Sequence, residues 1–329
     1  MRSYLYKNVN NELLCSSSGG AFKRIVSCIM NDGNAVIYGA TWDENLMVSH
    51  IYVDNLDDLY QLSGSKYARS KLGDTFSTVN NQLLNGKQVI FSGTPCQIAG
   101  LSSFLKAKKT DTTNLYLIDI ICHGTPSPLM LKEWIRSTER HYRHKIKKVS
   151  FRDKKVGWIG YPTTIVLDNN KTIRHSYKNQ EFVRLFFLHT VLAPCCYECQ
   201  FANIKRISDI TIGDFWGAEK SFPQIDYKNG VSLILANTSK GEEAIKAIET
   251  NVRDDEIIRE CSKASYISYQ QNLNEPTNKP LIREKFWDAY SERGYDYAIK
   301  KYGVSDIESN FKHNIKMFLS KIKLYNKIF

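Results

Sequence analysis

No run of the sequence reaches the roughly 18 uninterrupted apolar residues that a membrane-spanning helix needs. The longest candidate, Val183 to Tyr197, is broken by Arg184, His189 and Pro194. Met1 to Leu14 lacks the apolar core of a secretory signal. A soluble, cytoplasmic protein is therefore expected. Internal repeats, low-complexity linkers and recognisable nucleic-acid-binding modules are also missing. With 42% hydrophobic and 24% charged residues over 329 positions, the composition is that of a globular protein able to bury a sizeable core. The length suits one large or two fused α/β domains.

Two features stand out against these absences. The first is a formal charge of +11, concentrated in Arg140 to Lys155 and in the C-terminal tail. Such a surface can meet an acidic electron carrier, an anionic substrate or anionic lipid; without a nucleic-acid module, no nucleic acid is expected. The second is a set of eight cysteines in a chain without an export signal. Reduced thiols are the rule in the cytosol, so metal binding or thiol chemistry is the better reading than disulfides.

The first half alternates helices and strands. Ser17-Ser18-Gly19-Gly20 precedes a helical stretch, Ala21 to Met30, and strands are read at Val36 to Ala40 and Val48 to Val53. A helix over Leu72 to Leu84 leads to two apolar runs, Gln88 to Phe91 and Leu115 to Ile121, each followed by a glycine-bearing loop. This alternation predicts a mostly parallel or mixed sheet flanked by helices, with ligands at the carboxyl ends of its strands. After Pro128 a helix runs to about Tyr142. A strand at Ile146 to Arg152, a hairpin around Asn169-Asn170 and a helix over Gln180 to Leu188 then lead to a cysteine cluster. Further strands are read at Ser208 to Gly213 and Val231 to Asn237, with helix from Gly241 to Glu249. The expected division is an α/β half over 1–145, a cysteine-bearing half over 146–310 and a helical tail over 311–329.

Cys196-Tyr197-Glu198-Cys199 is a CxxC, with Cys195 as an alternative ligand. Alone, the motif also fits a redox pair or half of a zinc site. Cys96 and Cys122 each follow an apolar strand within a few residues, so neighbouring parallel strands would set their loops side by side. Four thiolates, Cys96, Cys122, Cys196 and Cys199, suit either zinc or a 4Fe–4S cluster. Cys28 and Cys261 read as ordinary core cysteines, and Cys15 receives no role. A thiol at a helix start can also be a nucleophile, with His123 as its base, but nothing nearby completes an acyl-transfer apparatus.

Ser18-Gly-Gly-Ala-Phe22, Gly64-Ser-Lys-Tyr67, Gly93-Thr-Pro-Cys-Gln-Ile-Ala-Gly-Leu101, Asp119-Ile-Ile-Cys-His-Gly124 and Ser208-Asp-Ile-Thr-Ile-Gly-Asp-Phe-Trp-Gly217 occur in that order. In these motifs the sequence resembles the coenzyme F-420 hydrogenase/dehydrogenase beta-subunit family, from about residue 10 to residue 290. The resemblance implies FAD (with FMN as the other flavin), one adjacent 4Fe–4S cluster, and electron or hydride transfer. It also implies an electron donor or acceptor protein such as a ferredoxin, or a deazaflavin; many bacterial members look like parts of surface-polysaccharide gene sets. One departure is plain. Many fuller relatives begin with two CxxCxxCxxxC runs, which this sequence lacks, so at most one cluster is expected, with electrons from a separate donor or from the substrate.

On that resemblance Ser17, Ser18, Gly19 and Gly20 become part of a flavin pyrophosphate cradle, where a serine N-cap is otherwise the plainer reading. Ser65, Lys66 and Tyr67 add a cation and a stacking ring, or else form a solvated turn. Thr94 and Gln97 can donate hydrogen bonds to flavin or cluster sulfur. His123 is a candidate proton donor. Asp214 is placed to orient substrate or ribose, with Phe215 and Trp216 as ring walls or core aromatics. A zinc-holding, non-enzymatic scaffold is the competing expectation. At the C-terminus, Phe311, Ile315, Phe318, Ile322, Tyr325 and Phe329 recur at helical spacing among lysines. That pattern suits peripheral contact with an anionic membrane, or docking on the protein itself or on a second copy. No feature of the sequence sets an oligomeric state.

Overall fold

The short apolar runs of the first half become strands of a single eight-stranded sheet. The structure, a computed structural model, describes residues 1–9, 16–30, 33–158 and 160–303. In chain order the strands are β1 (Arg2–Asn8), β2 (Ala35–Trp42), β3 (Val48–Val53), β4 (Gln88–Gly93), β5 (Leu115–Ile120), β6 (Ile146–Ser150), β7 (Thr164–Leu167), β8 (Thr172–Arg174), β9 (Ile210–Asp214), β10 (Ser232–Ala236) and β11 (Glu256–Cys261). The helices are α1 (Ala21–Ile29), α2 (Thr75–Leu84), α3 (Pro95–Lys108), α4 (Pro128–Tyr142), α5 (Glu181–Phe187), α6 (Ala218–Ser221), α7 (Ser239–Thr250), α8 (Ile282–Arg293) and α9 (Tyr295–Tyr302). None of the described helices is long and apolar enough to cross a membrane.

The large sheet runs β11-β1-β10-β9-β5-β4-β2-β3. Its centre, β9-β5-β4-β2, is parallel, while β3 on one side and β10, β1 and β11 on the other are antiparallel. The expected α/β class is therefore realised as a mixed sheet. Side chains alternate across it with the period of two that a pleated strand imposes. Ile37, Ile90, Ile118, Ile210 and Ile234 pack under α1 and α7, with Ile25, Ile245 and Ile248. Val36, Val89, Phe91 and Leu117 face the other way, against Ile98, Leu101 and Leu105 of α3 and Val79 of α2. Both faces are covered, as parallel strands require.

Strands β6, β7 and β8 form a separate three-stranded sheet, packed with α4, α5, α8 and α9 around Trp134, Phe151, Phe182 and Phe286. The large sheet draws strands from both sides of residue 145. Two differences from the sequence reading have local causes. Helix α2 begins at Thr75, three residues late, because Gly73 takes a left-handed φ of 51° just before it. Strands β1 and β11 carry no alternating signal; Ser3 to Lys7 are all buried, so both faces of β1 are interior. The basic stretch 311–329 lies outside the described residues.

An ion pair ties the end of β5 to the segment beyond the CxxC. Arg206 Nη2 donates to Asp119 Oδ2 at 2.7 Å, and both side chains are almost completely buried. Burial pushes the Asp119 carboxyl up, against the opposing pull of Arg206. Removing one partner strands the other charge, so Arg206→Met should cost about 3–5 kcal/mol, read as a lower urea midpoint at unchanged slope.

Candidate functional site

The four parallel strands end on one side of the sheet, and the predicted site residues gather there. Ser92 lies opposite Ile118 and Gly93 opposite Asp119, so the loop to Cys96 and the loop to Cys122 leave adjacent strands at the same level. Strand β9 joins them through Ile120 and Ile212, and ends at Asp214. The CxxC arrives from outside the sheet. Ala193 N donates to Thr125 O at 2.9 Å and Ser127 N to Val191 O at 3.2 Å, which lays residues 191–193 along the segment after Cys122. Gly124 permits that approach. Its φ is 115°, and a Cβ there would stand 2.8 Å from Leu192 Cδ1 and 3.1 Å from Cys196 Cβ.

The cysteines converge electrostatically. Burial, with the added effect of Cys96, Cys196 and Cys199, pushes the Cys122 thiol up to about 12. Three of the sulfurs sit beside protein donors: Gly124 N is 3.4 Å from Cys122 Sγ, Thr125 N is 3.4 Å from Cys196 Sγ, and Thr94 Oγ1 is 3.2 Å from Cys96 Sγ. Burial also raises the Cys196 thiol. Cys195 is exposed, 3.7 Å from Arg69 Nη2, and also bears on the adjacent Cys196 thiol. Among the described residues, no group of three or more His, Cys, Asp or Glu side chains is spaced to hold a single metal ion.

Against this cluster lies a cavity of about 870 Å³, in the range of pockets that enclose a whole ligand. Of the residues singled out from the sequence, Ser17, Ser18, Gly20, Ser65, Lys66, Tyr67, Thr94, Cys96, Gln97, His123 and Asp214 all line it. Gly19 does not. It is wedged against the sheet, where a Cβ would meet Tyr6 O at 2.3 Å and Ser232 N at 2.6 Å. Both are backbone atoms and cannot swing aside, so Gly19→Ala should cost at least about 3 kcal/mol and displace the serine loop. A thermal melt against wild type checks this.

Two loops distant in sequence build one wall. Ser65 Oγ donates to Ser17 Oγ at 2.8 Å, and Ser18 Oγ donates to Val231 O at 2.7 Å. Helix α1 has Gly20 at its N-cap with a φ of 90° and no side-chain cap, so its first N–H groups are not taken up by a serine. Lys66 Nζ donates to Ser63 O at 2.7 Å and Gln61 O at 3.4 Å, and burial pushes its ammonium down to about 7. Tyr67 stacks on Phe186 with ring centroids 4.7 Å apart.

The cavity lining also contains a group the sequence reading missed. Arg152 Nη1 donates to Asp214 Oδ2 at 2.6 Å, with both side chains largely buried. Its guanidinium lies over the rings of Tyr161 and Trp158, and Trp216 stacks on Trp158 at 4.9 Å. Arg152 has a left-handed φ of 59°, unusual for a side chain of its size. Its signal was masked by position, because it falls in the basic run Arg140 to Lys155 that reads as solvated surface. Phe215 is not a ring wall: it is buried among Leu233, Tyr266 and Ala218 on the far side of the sheet. Burial, with His189 nearby, pushes His123 below the usual imidazole range, so it is held mostly neutral at pH 7.

The family defined by the C-terminal part of the coenzyme F420 hydrogenase/dehydrogenase beta chain matches residues 86–256, just over half of the sequence, and takes in all four of these cysteines. The chain belongs to this family. It is thereby a redox subunit of the hydrogenase/dehydrogenase type. The serine loop and Gly64–Tyr67 lie outside the matched residues. No curated protein matches the sequence. Among solved structures, a chain of the F420-reducing [NiFe] hydrogenase complex from Methanosarcina barkeri is similar at a TM-score of 0.56 and 12% identity. The likeness covers 89% of this chain and 93% of that one, and it is a likeness of fold.

Proposed function

We propose that the chain is an iron–sulfur flavoprotein oxidoreductase, with FAD (or FMN) in the large cavity and one 4Fe–4S cluster on Cys96, Cys122, Cys196 and Cys199. The observation that carries this reading is a shared wall. Cys96 lines the cavity and also acts electrostatically on Cys122, so a cavity occupant and a cluster would be neighbours.

The donor set fits a cluster. A thiol as enclosed as Cys122 stays protonated unless a cationic centre replaces the proton, and coordination does so outright. Hydrogen-bond donors already stand at three of the sulfurs. A single zinc ion would need the sulfurs to draw in to bonds of about 2.3 Å, whereas a cluster spans a wider cage. A bound flavin would supply hydride exchange and one-electron steps, with the cluster as a one-electron relay. The protein's own tasks are then definite. The serine loop and Lys66 hold the phosphates, Tyr67 and Trp216 flank rings, Asp214 braced by Arg152 orients the substrate, and neutral His123 offers a ring N–H as a proton source.

The hydrogenase neighbour is named as F420-reducing, which favours a deazaflavin as carrier; a ferredoxin-like protein is the alternative. A place in surface-polysaccharide synthesis rests on the resemblance alone. Anaerobic purification followed by an absorption spectrum and flavin, iron, sulfide and zinc assays tests the reading. Flavin bands, a shoulder at roughly 400 nm and about four iron and four sulfide per chain are expected. Colourless protein with stoichiometric zinc would replace this reading with the scaffold.

A further inference from the structure

Behind Cys96 runs an unbroken chain of side-chain hydrogen bonds that starts 46 residues earlier in the sequence. His50, on β3, is buried and stacked on Phe91, with Nε2 3.0 Å from Ser92 O and Nδ1 2.7 Å from Ser70 Oγ. Gln97 Nε2 donates to Ser70 Oγ at 2.8 Å, and Gln97 Oε1 accepts from Thr94 N at 3.0 Å. Thr94 Oγ1 lies 3.1 Å from Gln97 Oε1 and 3.2 Å from Cys96 Sγ.

The direction of every bond follows from chemistry. A carbonyl only accepts, so Nε2 of His50 carries the proton and Nδ1 must accept the Ser70 hydroxyl. With that hydrogen committed, Ser70 Oγ offers a lone pair to the Gln97 amide. The amide is thereby locked with its oxygen toward Thr94, where the Thr94 N–H meets it. A flipped amide would oppose two N–H groups. The Thr94 hydroxyl is left between two acceptors, one of which already has a donor. When Cys96 is a thiolate it has no hydrogen to give, and its charge makes it the stronger acceptor, drawing toward sulfur a hydroxyl that can otherwise donate to Gln97 Oε1. Gly93 leaves the space this needs: a Cβ there would stand 3.1 Å from Gln97 Oε1.

We propose that His50 and Ser70 are positioning residues which, through Gln97, aim the Thr94 hydroxyl at Cys96 sulfur and so set the electron affinity of the centre that Cys96 helps to hold. The proposal rests on the cluster reading above. Hydrogen bonds to ligand sulfur favour the more negative, reduced state and raise the potential. All four network residues also line the cavity, so its occupant touches the groups that tune the cluster.

The test uses the full chain with its cluster assembled anaerobically, iron and sulfide counted first, and the cluster potential read by titration with EPR detection. Thr94→Val should lower the potential by about a tenfold change in the electron-transfer equilibrium, ~59 mV for one electron. Thr94→Ser should restore it. Ser70→Ala and His50→Leu should shift it the same way, and Ser70→Ala should add nothing in the Thr94→Val background, since both act through one hydroxyl. Ser102→Ala, on the same helix and outside the network, should leave it unchanged. An unaltered potential in Thr94→Val at full iron content overturns the proposal, as does an additive effect of Ser70→Ala. A wild-type chain that takes up neither iron nor sulfide overturns the cluster reading, and the proposal with it.

Discussion

Cys122→Ser, purified anaerobically, should carry neither iron nor sulfide above background, while Cys28→Ser keeps both in full. The contrast follows from where the two thiols sit. Cys122 is at the carboxyl end of β5, enclosed, and under the combined influence of Cys96, Cys196 and Cys199. A serine hydroxyl there is a far poorer ligand than a thiolate, and the remaining three sulfurs cannot close the cage. Cys28 lies on α1, where its sulfur accepts from Arg24 Nη1 at 2.8 Å, and is not among the residues that line the cavity. The adjacent pair gives a sharper comparison. Thr125 N stands at the Cys196 sulfur, whereas Cys195 is exposed beside Arg69, so Cys196→Ser should lose the cluster and Cys195→Ser should retain it. Iron and sulfide per chain, with absorbance at roughly 400 nm, check all four variants. Equal retention in Cys122→Ser and Cys28→Ser would sink the ligand set.

The second large effect is on cofactor binding and its pH dependence. Lys66 faces the cavity from beside the serine loop, held among the described residues by two carbonyls, and burial pushes it down to about 7. In the cofactor-free protein it therefore loses its proton as pH rises through neutrality. A bound pyrophosphate favours the charged form and raises its pKa, so binding above pH 7 takes up a proton. Linkage then sets the sign: affinity for FAD should be highest below pH 7 and fall by up to one log unit per pH unit above it, at most roughly 50-fold between pH 7 and pH 9. His50 is a neighbouring titratable group, and burial pushes it below the usual imidazole range, so it stays neutral as pH rises above 7. Lys66→Met should weaken FAD binding by roughly 10- to 150-fold at pH 7, the worth of one charge-assisted hydrogen bond. It should also flatten the pH profile. Fluorescence titration of the cofactor-free protein between pH 6 and pH 9 measures both. A profile equally steep in the variant would assign the proton to another group.

Much of this site is legible in the sequence. The loops carrying Cys96 and Cys122 follow short apolar runs at glycine, and a parallel sheet leaves little choice about where such loops emerge. Ser17 and Ser65 are each marked by glycine-containing turns, and they meet in a direct hydrogen bond. Arg152 and His50 are not legible. An arginine in a basic run and a histidine in a strand look like surface and core respectively, and only their partners, Asp214 and Ser70, reveal otherwise.

The division has a physical cause. Strand period, helix starts and loops at strand ends are local properties, governed by backbone sterics and by side chains a few residues apart. The sequence by itself therefore determined the α/β alternation, the cysteine spacing and the side of the sheet from which the loops bearing Cys96 and Cys122 emerge. The burial of β1 on both faces, how residues 191–193 pair beside Thr125, and which guanidinium braces Asp214 depend on contacts across tens to hundreds of residues. Only the tertiary structure decided those, because burial and pairing energies are set by neighbours that local sequence does not specify.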